Sequence, residues 1–133
     1  MRADTRTVSI EAPAHRVVTF LEDPANLPRW AVGFAKAVRQ TARGWMVQTA
    51  SGEMGIRIDA DADLGTVDFW MSPTPGVEVL APSRVVPSGS GSEFIFTQFQ
   101  GPETSDEAFA SSVETIRHEL IVLKALLEVE CPL

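Results

Sequence analysis

Polar and apolar residues alternate in TRTVSIE, residues 5–11, with Val8 and Ile10 on one face. That two-residue period predicts a half-buried strand. The period then lengthens. Val17, Phe20 and Leu21 recur at helical spacing behind Pro13, a residue suited to the first turn of a helix. Asp23-Pro24 reads as a cap plus the first residue of a second short helix. Pro28 lacks a backbone donor and disfavours a helical Leu27, so that helix is expected to stop or kink there, with Trp30 just beyond.

After Gly33 the period returns to two, for six strands. A two-residue turn at Ser51-Gly52 would set Thr49 opposite Met54, Val47 opposite Ile56 and Trp45 opposite Ile58. A loop over residues 61–64 would set Ile58 opposite Val67, Ile56 opposite Phe69 and Met54 opposite Met71. The apolar residues then share one face across three strands, and a one-residue slip would destroy that agreement. The last two strands are expected at about residues 77–86 and 93–99, joined by a PSGSGS loop that puts Val85 opposite Phe94. Pro82 suggests a bulge or bend in the first of them. A helix over residues 105–129 closes the order. Thr104-x-x-Glu107 is a capping box for it, and Phe109, Val113, Ile116, Leu120, Leu123 and Leu127 form one apolar stripe. At 1.5 Å per residue it spans roughly 37 Å, long enough to cover a sheet. Strands bracketed by helices make an α+β fold.

The chain has 133 residues with no internal linker, and residues 1–133 read as one domain. Apolar residues make up 44% and charged residues 22%, a globular balance. The net charge of −7 repels phosphate backbones and anionic bilayers, so neither nucleic acid nor a membrane surface is expected as a partner. No stretch has the apolar run of a signal peptide or a membrane span, and Cys131 stands alone. Both features point to a reducing, cytoplasmic setting.

The stretch VSIEAPAHRVVTFLEDPANLPRWAVGF, residues 8–34, has a distinctive order. A strand and a Pro junction lead to a helix with aromatic-Leu, then Asp-Pro, then Leu-Pro-x-Trp. With VETIRHELIVLKALLE at 113–128, it resembles the START/Bet v-type helix-grip superfamily, also called SRPBCC or polyketide cyclase/dehydrase and lipid-transport proteins. The resemblance covers essentially the whole chain. It implies a curved seven-stranded antiparallel sheet wrapped around a long C-terminal helix. Two short helices between strands 1 and 2 close one end, and a cavity lies between sheet and helix. Trp30 would plug or rim that cavity.

The inner face so predicted contains no ionisable side chain; Thr49 and Gln98 are its hydrogen-bonding members besides the Trp indole. Arg57, Asp59, Asp68, Glu78 and Glu93 alternate onto the opposite, solvated face. His118 lies about 200° around the helix from Ile116, and His15 is off the face of Val17, so both read as surface residues. No metal site, nucleophile or cofactor signature emerges, and no cofactor is expected. Cyclase-type members act through polar groups inside the cavity, and none can be matched here. An acid or base from a cavity end, such as Lys36, Arg39 or Glu114, rests on parity alone. The residues expected to line the cavity are Trp30, Phe34, Trp45, Val47, Thr49, Ile56, Ile58, Phe69, Met71, Val79, Phe94, Phe96, Gln98, Phe109, Val113, Ile116 and Leu120.

The expected function is carriage or sensing of a small apolar molecule, lipid-, polyketide- or aromatic-like, with Thr49 or Gln98 orienting its polar end. One alternative is a cyclase or dehydrase. Another is a protein-interaction module whose cavity is filled by its own side chains. Met46, Trp70, Val86, Ile95 and Phe99 on the outer face would form a homodimer surface around Trp70 if they were contiguous.

Overall fold

β1 (Ala3–Ile10) is one edge of the sheet, and the helices after it carry the chain to the other edge. In the computed structural model, which describes residues 1–133, α1 (Ala14–Glu22), a 3-10 turn (Pro24–Asn26) and α2 (Leu27–Trp30) lead to β2 (Ala37–Thr41). Then β3 (Gly44–Thr49), β4 (Gly52–Asp61), β5 (Thr66–Ser72), β6 (Val79–Ser88) and β7 (Gly91–Phe99) return strand by strand. The sheet order is β1-β7-β6-β5-β4-β3-β2, antiparallel throughout. The long helix α3 (Asp106–Glu130) lies along β1 and meets α2, while α1 packs across β4 to β7. This is the expected α+β helix-grip architecture. No helix is long and apolar enough to cross a membrane.

The two hairpins used as register tests differ from expectation by two residues. The first turn is Ala50–Ser51, so Thr49 faces Gly52, Val47 faces Met54 and Trp45 faces Ile56. The cause is a local motif. Thr49 Oγ1 accepts from Ser51 N–H at 3.2 Å and donates to the Gly52 carbonyl at 2.7 Å, and Gly52 has φ +118°. Thr41-Ala42-Arg43-Gly44 builds the preceding hairpin the same way. The second loop is 62–65 rather than 61–64. Asp61 Oδ1 accepts from the N–H groups of Asp63 and Leu64, and Ile58 pairs with Phe69. Because both shifts are even, every side chain keeps its face.

Val85 does face Phe94, but the connecting turn is only Gly89–Ser90, and most of PSGSGS is strand. Pro82 causes no bulge against β5, where it pairs with Asp68. It stands where pairing with β7 ends, at Ser83. Pro28 sits in the first turn of α2 rather than stopping a helix, and Trp30 is the last residue of that helix. The cap of α3 is Ser105, whose side chain accepts from Ala108 N–H, in place of the expected box at Thr104.

The core is continuous from α1 through the sheet to the C-terminal half of α3, where Leu120, Leu123 and Leu127 are buried. Lys124 reaches the Ser9 carbonyl, and Glu128 accepts from Glu11 N–H, so that half of α3 is tied to β1. The outer face is divided by charge. Trp70 stands between Arg57 and Leu80, with the Arg57 guanidinium 5.1 Å from its ring centre. Ile95 stands between Arg84 and Thr7, and Val86 beside Glu93.

Thr49 therefore works in a turn rather than in a cavity. Thr49→Val is expected to lower stability by about 1–2 kcal/mol in urea unfolding, because it strands a turn N–H and a carbonyl. Unchanged stability would show that the hydroxyl is not needed to close this hairpin.

Candidate functional site

Two prolines set the geometry of the segment after α1. Asp23 Oδ1 caps the 3-10 turn through Ala25 N–H, with Pro24 at its start; Pro28 then stands in the first turn of α2. One turn later Trp30 points inward, 3% exposed, its ring tilted against Phe69 at 6.0 Å. Phe69 stacks in turn on Phe96, and Phe96 on Phe94. The chain leaves α2 in a tight turn in which Phe34 and Ala35 N–H approach the Ala31 carbonyl. That turn presents Gly33 and Phe34 N–H to α3.

Both amides donate to one oxygen of Glu119, at 3.0 Å each. Glu119 is 1% exposed. Burial pushes its pKa from 4.5 up to about 7, against the two backbone donors and the positive charge of Lys36. Gly33 makes this approach possible. A Cβ there would lie 2.5 Å from Thr115 Cγ2, on a β-branched side chain with little freedom to move.

Beside this clamp lies a cavity of about 360 Å³ between sheet and α3. Thirteen of its nineteen lining residues are hydrophobic; the others are Gly33, Gln98, Ser111, Ser112, Thr115 and Glu119. Trp30, Phe34, Ile56, Phe69, Met71, Val79, Phe96, Gln98 and Ile116 line it, as the sequence suggested. Its rim includes Val79, Phe99 and Ser112, all exposed.

The other expected residues lie elsewhere. Val47, Phe94 and Leu120 belong to the solid core, and Ile58 packs against it. Thr49 closes its hairpin. Trp45 lines a separate groove on the β2–β4 side with Arg39 and Glu53. Val113 is buried away from the cavity, and so is Phe109, whose ring lies under the Arg2 guanidinium. The reason is the roll of α3. Its apolar stripe faces β1 and the core, while the flank bearing Ser111, Ser112, Thr115 and Glu119 faces the cavity. Of the ionisable residues considered, Lys36, Arg39 and Glu114 do not line it. The carboxylate that does was not singled out. Glu119 stands three residues after Ile116 and four before Leu123, a helical neighbour of both, and that spacing was its one signal.

Three buried polar atoms have no partner: Trp30 Nε1, Gln98 Nε2 and Glu119 Oε1. All three residues line this cavity. Native proteins leave few such groups, and each costs about 1–3 kcal/mol.

The Glu119 shift has a consequence for stability. Between pH 4.5 and about 7 the folded state holds a proton that the unfolded state has released, so this group's contribution falls as pH rises through that window. Glu119→Gln keeps an oxygen for the two amides and removes the titration. The variant should match the wild type near pH 4.5 and exceed it by up to about 3 kcal/mol at pH 8, as read from urea unfolding across pH. A stability gap that does not change with pH would mean that Glu119 ionises as an exposed carboxylate does.

No protein-family model matches the sequence. No curated protein matches it in sequence either. The fold does match solved structures. The protein XoxI from Bacillus cereus superposes with a TM-score of 0.74 at 20% identity, over 98% of this chain and 99% of that one. The di-domain ARO/CYC BexL from the BE-7585A biosynthetic pathway also gives 0.74 at 20% identity, over 96% of this chain and 47% of its own, so this chain spans about half of it. A START superfamily protein from Mycobacterium smegmatis gives 0.68 at 14% identity, over 95% and 97%. What these structures share with the chain is the fold, and it is the helix-grip fold that residues 8–34 and 113–128 resemble.

Proposed function

We propose that the protein binds a small, largely apolar molecule in the cavity between the sheet and α3. One observation carries this reading. The cavity is open and mostly apolar, and three of its lining residues each keep one buried polar atom unpaired. A protein that merely packed its core would fill such a space or pair those atoms. The volume, about 360 Å³, is at the small end of ligand pockets, which run from about 300 to 1,000 Å³. A compact ring system fits it better than a long acyl chain. The same volume counts against an interaction module with a filled interior, and self-association around Trp70 would be weak because charged rows divide that face.

A cyclase- or dehydrase-type enzyme is the second reading. Glu119 favours it: a buried carboxyl titrating near neutrality can give or take a proton at a bound molecule.

The binding reading is tested with the neutral dye N-phenyl-1-naphthylamine, whose fluorescence rises in apolar surroundings. Wild-type protein should bind it saturably. Ser112→Trp, which places a large ring at the exposed mouth, should weaken binding about tenfold or more while leaving the unfolding midpoint near its wild-type value. Equal dye binding by both proteins would place the dye outside this cavity. Native mass spectrometry of freshly purified protein would show any molecule already retained.

A further inference from the structure

We infer that Trp30, Gln98 and Glu119 make the cavity selective for neutral ligands bearing a carbonyl acceptor and a hydroxyl donor, and that Glu119 is the specificity-determining residue that rejects carboxylates. The inference rests on the binding reading above and adds the chemistry of the ligand's polar end.

Each unpaired atom has a fixed hydrogen-bonding capacity. The Trp30 indole N–H only donates, and the Gln98 amide nitrogen donates. Each calls for an acceptor lone pair, which a ligand carbonyl oxygen supplies. Glu119 Oε1 is the free oxygen of a carboxyl whose other oxygen is taken by Gly33 and Phe34. When ionised it only accepts, so it calls for a hydroxyl or N–H on the ligand.

Charge then narrows the class. No Lys or Arg lines the cavity. Arg6, on the inner side of β1, is paired with Asp4 at 3.0 Å and is not part of the lining. The field of Lys36 reaches Glu119 from the segment ahead of β2, and Arg117 and His118 beside it on α3 are exposed. A ligand carboxylate or phosphate would therefore lie next to Glu119 with no cation in the lining, in an apolar enclosure, which is unfavourable. A ligand ammonium would suit Glu119 but would meet the positive ends of two N–H dipoles. A neutral molecule with both a carbonyl and a hydroxyl satisfies all three groups.

Buried polar groups left unpaired by the wrong ligand discriminate more sharply than a missing methylene does. The experiment compares 5-, 6- and 7-hydroxy-1-tetralone, 1-tetralone, tetralin and tetralin-1-carboxylate by displacement of N-phenyl-1-naphthylamine. The three hydroxytetralones vary the spacing of the two polar groups on one apolar body. At pH 8, at least one should bind about tenfold or more tighter than 1-tetralone, and the carboxylate should bind weakest. Glu119→Gln should remove most of the hydroxyl preference, read as the ratio of hydroxytetralone to 1-tetralone affinity, and strengthen carboxylate binding relative to 1-tetralone. In the wild type, rejection of the carboxylate should relax as pH falls from 8 to 6, and in Glu119→Gln it should not; a merely structural role would not produce that pattern. Gln98→Leu should narrow the gap between 1-tetralone and tetralin. The inference is overturned if the carboxylate binds as well as the hydroxytetralones, or if no hydroxyl isomer gains over 1-tetralone. A protein that takes up the dye but no tetralin derivative overturns this inference alone; one that takes up neither overturns the binding reading as well.

Discussion

One carboxylate oxygen of Glu119, accepting from the backbone N–H groups of Gly33 and Phe34, ties the turn after α2 to the middle of α3. Both amides lie in a turn that has no strand partner for them; Phe34 N–H also approaches the Ala31 carbonyl, but without Glu119 the Gly33 N–H would face α3 unpaired. The segment before that turn is built to deliver it. Pro24 and Pro28 each stand in the first turn of a helical segment, Asp23 caps the first, and Asn26 donates to the Phe20 carbonyl at the end of α1. Two prolines in so short a connection therefore fix where Trp30 enters the cavity and where the chain leaves it. The absence of a Cβ at Gly33 does the rest, letting the turn approach α3 closely enough for 3.0 Å bonds.

The position of the cavity follows from two local features. Pro82 stands where β6 stops pairing with β7, and the residues around that break, Leu80, Ala81 and Gln98, line the cavity. Across from them α3 presents Ser111, Ser112 and Thr115, side chains too small to reach the sheet. In the C-terminal half of the same helix, Leu120, Leu123 and Leu127 fill the interval and the core is solid. Phe109 and Val113 are buried in the N-terminal half too, so the room lies along the flank that bears the small side chains.

The order of the elements was legible because it depends on periodicity, and periodicity survives small errors; the grip of sheet on helix came from the resemblance of residues 8–34 and 113–128. Placing the first hairpin turn at Ser51-Gly52 instead of Ala50–Ser51 moved the pairing by two residues, and Val47, Ile56 and Phe69 still shared a face. The repeated Thr-Ala-x-Gly at residues 41–44 and 49–52 carried the true turn, through a Thr hydroxyl and a positive-φ Gly, and was not used. The lining of the cavity was half legible. Inner-face residues of β4 to β7 follow from parity, so Ile56, Phe69, Met71, Phe96 and Gln98 were found. The contribution of α3 depends on how the helix is rolled about its axis. At 100° per residue Glu119 lies about 80° from the middle of the apolar stripe, a position that faces solvent on most amphipathic helices. Here the stripe turns toward β1, and the flank is what the cavity sees.

A carboxyl that titrates near neutrality, paired on one oxygen only, is a poor choice for stability alone. Gln at the same place would keep an oxygen for Gly33 and Phe34 and carry no charge to desolvate. The second oxygen has no partner within the protein, and toward a ligand bound as proposed the two oxygens would become coupled. A ligand hydroxyl on Oε1 favours the ionised form, and an ionised carboxylate accepts stronger bonds from Gly33 and Phe34 than a neutral one does. Occupancy would therefore tighten the turn over residues 31–35, through which Trp30 and Phe34 reach the same cavity. If a ligand binds as proposed, the group that meets its hydroxyl is also the group that holds the wall around it, and recognition and closure would then rest on a single side chain.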